Sequence, residues 1–159
     1  MIENSSLYCT FHLAGRWFGI SVLEVKEVTT ETRCTRIPHS PGEVHGLVNI
    51  RGHIFLALNL ANLLAIKDHS IPADAQLILF KPHVGSAFGI VVDQVGDIVS
   101  VPAMQTETFS SDERVQLDSR DRAALVSQIC KLEDKLLIVL DPKRFLPCIE
   151  RSIQEMLKT

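Results

Sequence analysis

Hydrophobic and polar positions first alternate near the N-terminus, in the stretch YCTFHLAGRWFGISVLEVKEV. Tyr8, Thr10 and His12 interleave with Cys9, Phe11 and Leu13, the two-residue period of a strand. A second apolar run follows Ala14-Gly15-Arg16, which predicts a hairpin with a glycine in its turn. Val22, Val25 and Val28 recur at a spacing of three. The β-branched content of GISVLEVKEV nevertheless predicts extended chain with a local irregularity rather than a helix. TTETRCTRIPHSPGEV, with Pro38 and Pro41, reads as a loop that cannot join a central ladder. LVNI and HIFLALNL then flank Arg51-Gly52 as a second hairpin, and ALNLANLLAI leads into a short helical turn before the polar connection KDHSIPADA.

The second half keeps the same order. AQLILF and SAFGIVVDQVGDIVSV predict strands, AMQTETFSSDERVQLDSRDRA is a long polar span, and ALVSQICKL and KLLIVL flank Glu133-Asp134. Asp141-Pro142 and Pro147 interrupt the chain before CIERSIQEMLK. There Ile149, Ile153, Met156 and Leu157 fall on one face of a predicted amphipathic helix, residues 148–158, whose apolar stripe is expected to pack on the body.

This order is a repeat. Shifting residue numbers by 70 lays Phe18-Gly19-Ile20, Val22, Val25, Glu27 and Val28 over Phe88-Gly89-Ile90, Val92, Val95, Asp97 and Ile98. A shift of 82 lays LVNIRGHIFLALNLANLL over ICKLEDKLLIVLDPKRFL, with Arg51-Gly52 over Glu133-Asp134 and Asn59 over Asp141. Each copy is an all-β unit of four or five short strands, the size of a small barrel, so the chain reads as a duplicated β-barrel with a C-terminal helix.

Composition narrows the chemistry. At 159 residues and 46% hydrophobic content the chain can bury a sizeable core without staples. The formal net charge of -3, with Lys and Arg scattered singly, argues against a nucleic-acid partner. No apolar run reaches the ~18 residues of a membrane span, and the acidic, polar N-terminus lacks a secretory h-region, so a cytoplasmic protein without direct membrane insertion is expected. Cys9, Cys34, Cys130 and Cys148 are read as free thiols, since no Cys-x-x-Cys pair occurs. The six histidines, among them His39, His45, His53 and His69, show no metal-ligand spacing and are read as surface or loop residues; Asp93 and Asp97 are expected to face solvent or a turn. With no phosphate loop and no nucleophile elbow, neither a catalytic residue nor a cofactor is expected. A protein-binding module is favoured, acting through strand edges or the groove between units.

CTFHLAGRWFGISVLEVKEV, TRIPHSPGEVHGLVNIRGHIFLALNL and FGIVVDQVGDI resemble, in order and spacing, the CheW-like family of bacterial chemotaxis coupling proteins. The likeness runs from about Cys9 to Leu146. It implies one CheW-like domain over residues 5–150, built of two intertwined five-stranded SH3-like barrels. It also implies a non-catalytic adaptor that binds the regulatory domain of the histidine kinase CheA and the cytoplasmic tips of methyl-accepting chemotaxis proteins. Without a receiver, phosphotransfer or ATP-binding segment, the chain looks like the free coupling protein. The resemblance places receptor- and kinase-linked residues on Val25, Glu27, Val28, Gly46 and Arg51.

Two of these are charged, and the resemblance sets Glu27 and Arg51 opposite one another. The repeat puts acids at both matching positions, Asp97 and Glu133, so only the first unit can form an ion pair. Arg51 is accordingly expected at the bend of a hairpin, held by Glu27 across neighbouring strands. The chain departs from the family at Leu56 and Asn59, where Pro and Asp are common, and at Gln128, where Gly is common. Other readings are an adaptor of a non-flagellar pathway (pilus motility or biofilm), an array-joining protein that activates no kinase, and an SH3-like nucleic-acid module.

Overall fold

The computed structural model describes residues 5–102, 106–108 and 124–157. The chain runs β1 (Ser5–Leu13), β2 (Arg16–Ser21), a 3-10 turn (Val22–Glu24), β3 (Val25–Thr29), β4 (Val44–Ile50), β5 (His53–Asn59) and α1 (Leu60–Leu63). It continues through β6 (Gln76–Phe80), β7 (Phe88–Val92), β8 (Gln94–Pro102), β9 (Thr106–Thr108), β10 (Val126–Leu132) and β11 (Lys135–Leu140). A second 3-10 turn (Pro142–Arg144) leads into α2 (Phe145–Leu157). The strands form two sheets, ordered β8-β1-β2-β11-β10-β9 and β3-β6-β7-β5-β4. One sheet therefore has the five strands implied by the resemblance, and the other gains a sixth from β9, which pairs with Gln128 to Cys130 of β10.

The duplication is visible in the pairing itself. Parallel β5 and β7 align Leu56 with Phe88 and Ala57 with Gly89. Parallel β11 and β2 align Ile138 with Phe18 and Val139 with Gly19, which is the same register shifted by 82 on one strand and by 70 on the other. Bulges match as well, between Val44 and Gly46 in β4 and between Val126 and Gln128 in β10. Asn59 and Asp141, also equivalent, each cap the turn that follows, accepting from the Asn62 and Lys143 amides.

The units are intertwined because the repeated Phe-Gly-Ile segment carries the chain from one sheet to the other. The first copy leaves β2 through the 3-10 turn into β3, and the second leaves β7 at Asp93 into β8. Each sheet thus combines strands of both repeats, although β3 to β7 run consecutively in the chain.

Three apolar clusters follow from this arrangement. Val48, Phe55, Ala57, Leu77, Leu79 and Val91 fill the five-stranded unit. Tyr8, Val101, Cys130, Leu137 and Val139 fill the other. Between the sheets lies the largest cluster, including Phe11, Phe18, Ile20, Ile78, Phe80, Phe88, Ile90, Leu140 and Phe145. In β6 and β11, successive residues face alternate clusters: Leu77 and Leu79 against Ile78 and Phe80, Leu137 and Val139 against Leu140. Burial on both faces is why AQLILF and KLLIVL are continuous apolar runs rather than alternating ones.

The helix departs from expectation at both ends. It begins at Phe145, so Pro147 sits in the first turn, where its missing N–H has no intrahelical acceptor to serve. Phe145, Cys148 and Ile149 enter the cluster between the sheets, but the stripe does not stay buried: Ile153 is exposed, and Leu157 is 79% exposed. Met156 has no described side-chain placement.

Candidate partner-binding surface

Arg51 and Gly52 are the two central residues of the β4–β5 turn, with φ of 51° and 85°. Positive φ at both positions is the type I′ geometry that matches the twist of a tight hairpin. Holding a non-glycine residue there costs about 1–2 kcal/mol. The Asn49 side chain offsets part of this by accepting the Gly52 amide at 2.9 Å. Glu133, the counterpart of Arg51, adopts the same conformation with φ of 54°. The turn therefore demands a backbone shape and leaves the side chain free to differ.

In this turn the arginine points away from the core and donates from Nη2 to Glu27 Oε1. Glu27 is 25% exposed and Arg51 69%. The pairing expected from the sequence is formed, but its geometry differs. β3 and β4 are the two ends of the five-strand order, not neighbours, so the contact links opposite edges of the sheet where it curls on itself. Asp97 and Glu133 occupy the matching places of the other unit with two acids.

The remaining predicted residues have separable roles. Val25 is half-buried and packs against the cluster between the sheets. Val28, on the same strand, is exposed. Gly46 is buried, with φ of 153°, and an added Cβ would lie 2.6 Å from the Thr35 carbonyl oxygen. Thr35 approaches so closely because it exchanges two 2.8 Å backbone hydrogen bonds with Leu47. Gly46 thus lets the 30–43 connection dock on β4, and the Cys34 thiol donates to the His45 carbonyl beside it at 3.4 Å. Burial, reinforced by Arg36, holds the His45 imidazole below its usual range, in the neutral form.

Two polar groups escaped the sequence reading. Lys26 holds its ammonium 5.3 Å from the centre of the Phe55 ring. His69 lies in a loop as expected, yet its side chain is only 9% exposed, with Nε2 against the Asp93 carboxylate. Asp93 does lie at a bend, but it is engaged there rather than hydrated, since it also accepts the Ala14 amide. The sequence signal for this contact was faint: a lone Asp where the first repeat has Leu23. Among the described residues no three His, Cys, Asp or Glu side chains form a metal-binding group.

A duplicated, strand-exchanged pair of small barrels with this motif order has relatives. The CheW-like domain model matches residues 7–150. The chain belongs to the CheW-like family. This CheW-like chain is 26% identical over 140 residues to the chemotaxis protein CheW of Bacillus subtilis, covering 88% of the chain and 86% of that protein. It is 28% identical over 100 residues to protein PilI of Pseudomonas aeruginosa, covering 63% of the chain and 54% of that protein. The crystal structure of scaffolding protein TtCheW from Thermoanaerobacter tengcongensis superposes with a TM-score of 0.74 at 25% identity, covering 85% of this chain and 88% of that one. The chain is thereby a chemotaxis scaffold or adaptor with the SH3-like double-barrel fold. No helix among the described residues is long and apolar enough to cross a membrane.

Proposed function

We propose that this CheW-like chain is a cytoplasmic, non-catalytic coupling protein that ties the cytoplasmic tips of methyl-accepting chemotaxis proteins to the regulatory domain of the histidine kinase CheA. The observation that carries the reading is the Arg51–Glu27 pair, a charged surface contact joining the two edges of the five-stranded unit next to exposed Val28. An ion pair this accessible adds only ~0.2–1 kcal/mol to folding, so a geometry imposed on a strained turn makes better sense as a shaped recognition surface. Val25, Glu27, Val28 and Arg51 form that surface, and Gly46 supports it by letting the 30–43 connection dock. The test is a pull-down with CheA and a receptor cytoplasmic fragment from the source organism: both are retained by the wild-type chain, and retention of neither would remove the reading. The likeness to PilI favours a second version of the same role, an adaptor of a non-flagellar chemosensory pathway. Pull-downs with the kinase and receptors of each pathway distinguish the two.

A further inference from the structure

The five-stranded unit opens a shallow pocket of about 230 Å³. Its floor includes the buried rings of Phe55 and Phe80, and exposed Ile54 and Ala87 line it further. Phe55 belongs to the interior of the barrel and Phe80 to the cluster between the sheets, so the pocket lies where two separate cores come to the surface. Its polar lining is supplied by Lys26 and His53. Lys26 precedes Glu27 in β3, and His53 follows the Arg51-Gly52 turn, which places the pocket beside the ion pair.

Size and charge restrict what can enter. Sites for whole small molecules usually run ~300–1,000 Å³, whereas this volume suits one large apolar side chain. Glu27 is engaged by Arg51, while Lys26 lies over the Phe55 ring with its ammonium exposed, and His53 offers a ring N–H. An ammonium over an aromatic face is attracted to it and still retains capacity for a carboxylate. The preferred visitor is therefore apolar with an acidic neighbour. On a helix, residues three or four apart sit about 5–6 Å from each other. The 5.3 Å between the Lys26 ammonium and the Phe55 ring centre is of that span.

We propose that this pocket receives one leucine- or phenylalanine-sized side chain from the helical cytoplasmic tip of a chemoreceptor, and that Lys26 and His53 bind a carboxylate one helical turn away from it. This rests on the adaptor reading above and adds the chemistry of the receptor segment that fits.

The experiment measures affinity of the full-length chain for a receptor cytoplasmic-tip fragment and for the CheA regulatory domain, each at low and high salt. Lys26→Glu weakens receptor binding about tenfold or more and reverses its salt dependence, Lys26→Arg stays near wild type, and CheA binding changes less than about twofold. Ile54→Asp weakens the receptor complex by a similar factor without touching the lysine. Urea midpoints of each variant show that the fold is kept. If the wild type binds the receptor fragment and Lys26→Glu binds it equally well, the pocket assignment is overturned while the adaptor reading stands. If Lys26→Glu loses only CheA, the receptor is the wrong occupant. If the wild type binds neither partner, the adaptor reading itself fails and takes the pocket assignment with it.

Discussion

His69 Nε2 lies 2.8 Å from one oxygen of Asp93 and 3.0 Å from the other, and the same carboxylate accepts the Ala14 amide at 3.0 Å. One side chain thereby fastens three remote segments: the turn of the first hairpin, the loop after α1, and the second crossing between sheets. His69→Ala leaves a buried carboxylate short of a donor, which costs about 1–3 kcal/mol. The urea midpoint should fall with an unchanged slope. A double-mutant cycle with Asp93→Asn should return a coupling above ~0.5 kcal/mol; strict additivity would show that the contact does not hold the crossing.

Arg51 and Glu27 should behave in the opposite way. Arg51→Ala and Glu27→Ala change stability by less than about 1 kcal/mol, because the pair is solvent-screened. Receptor–kinase coupling should drop strongly in each single variant, with little further loss in the double. Independent, additive losses in a coupling assay would argue against the pair acting as a unit.

Gly46→Ala tests backbone docking rather than charge. The new methyl carbon would meet the Thr35 carbonyl oxygen at 2.6 Å, so the two-hydrogen-bond bridge to Leu47 must open. A loss of about 1–3 kcal/mol follows. Faster amide exchange at Thr35 and Leu47 is the accompanying signal in hydrogen-exchange measurements.

Glu24, in the turn between β2 and β3, has a buried Oε2 without a hydrogen-bond partner. Burial raises its carboxyl above the usual glutamate value, Asp141 adds to the rise, and Lys143 and His83 oppose it. A raised acid is destabilising when ionised. The penalty is absent below the ordinary glutamate range and grows as pH climbs through the raised folded value. Glu24→Gln should therefore be more stable than wild type at neutral pH, with the two urea midpoints converging as pH falls below about 4. A wild-type midpoint independent of pH across that window, relative to the glutamine variant, would contradict this.

Much of the fold was legible because its causes are local. The two-residue period marked β1, and the Arg51-Gly52 and Glu133-Asp134 bends marked two hairpins. The repeated Phe-Gly-Ile segment turned out to be the pair of crossings that intertwine the units. Free cysteines, three of them buried, agree with an interior that uses thiols as small hydrophobes. Most of the span 103–123 lies outside the described residues, apart from the three residues of β9.

The charges at positions 27 and 51, the acids at 97 and 133, and the hydrophobic order of every strand were determined by the sequence alone, since each is a property of chain neighbours and of a repeat. Which groups meet was decided only by the tertiary structure. Tyr8 and Thr10, on the face of β1 opposite Phe11, are buried because a third cluster and the Asp97 carbonyl lie there. The Arg51–Glu27 contact joins sheet ends, Thr35 closes on Gly46, and Asp93 gathers His69 and Ala14. Periodicity reports which face of an element is apolar. It carries no information about which distant element arrives on that face, and here arrival depends on two chain crossings that exchange strands between the barrels.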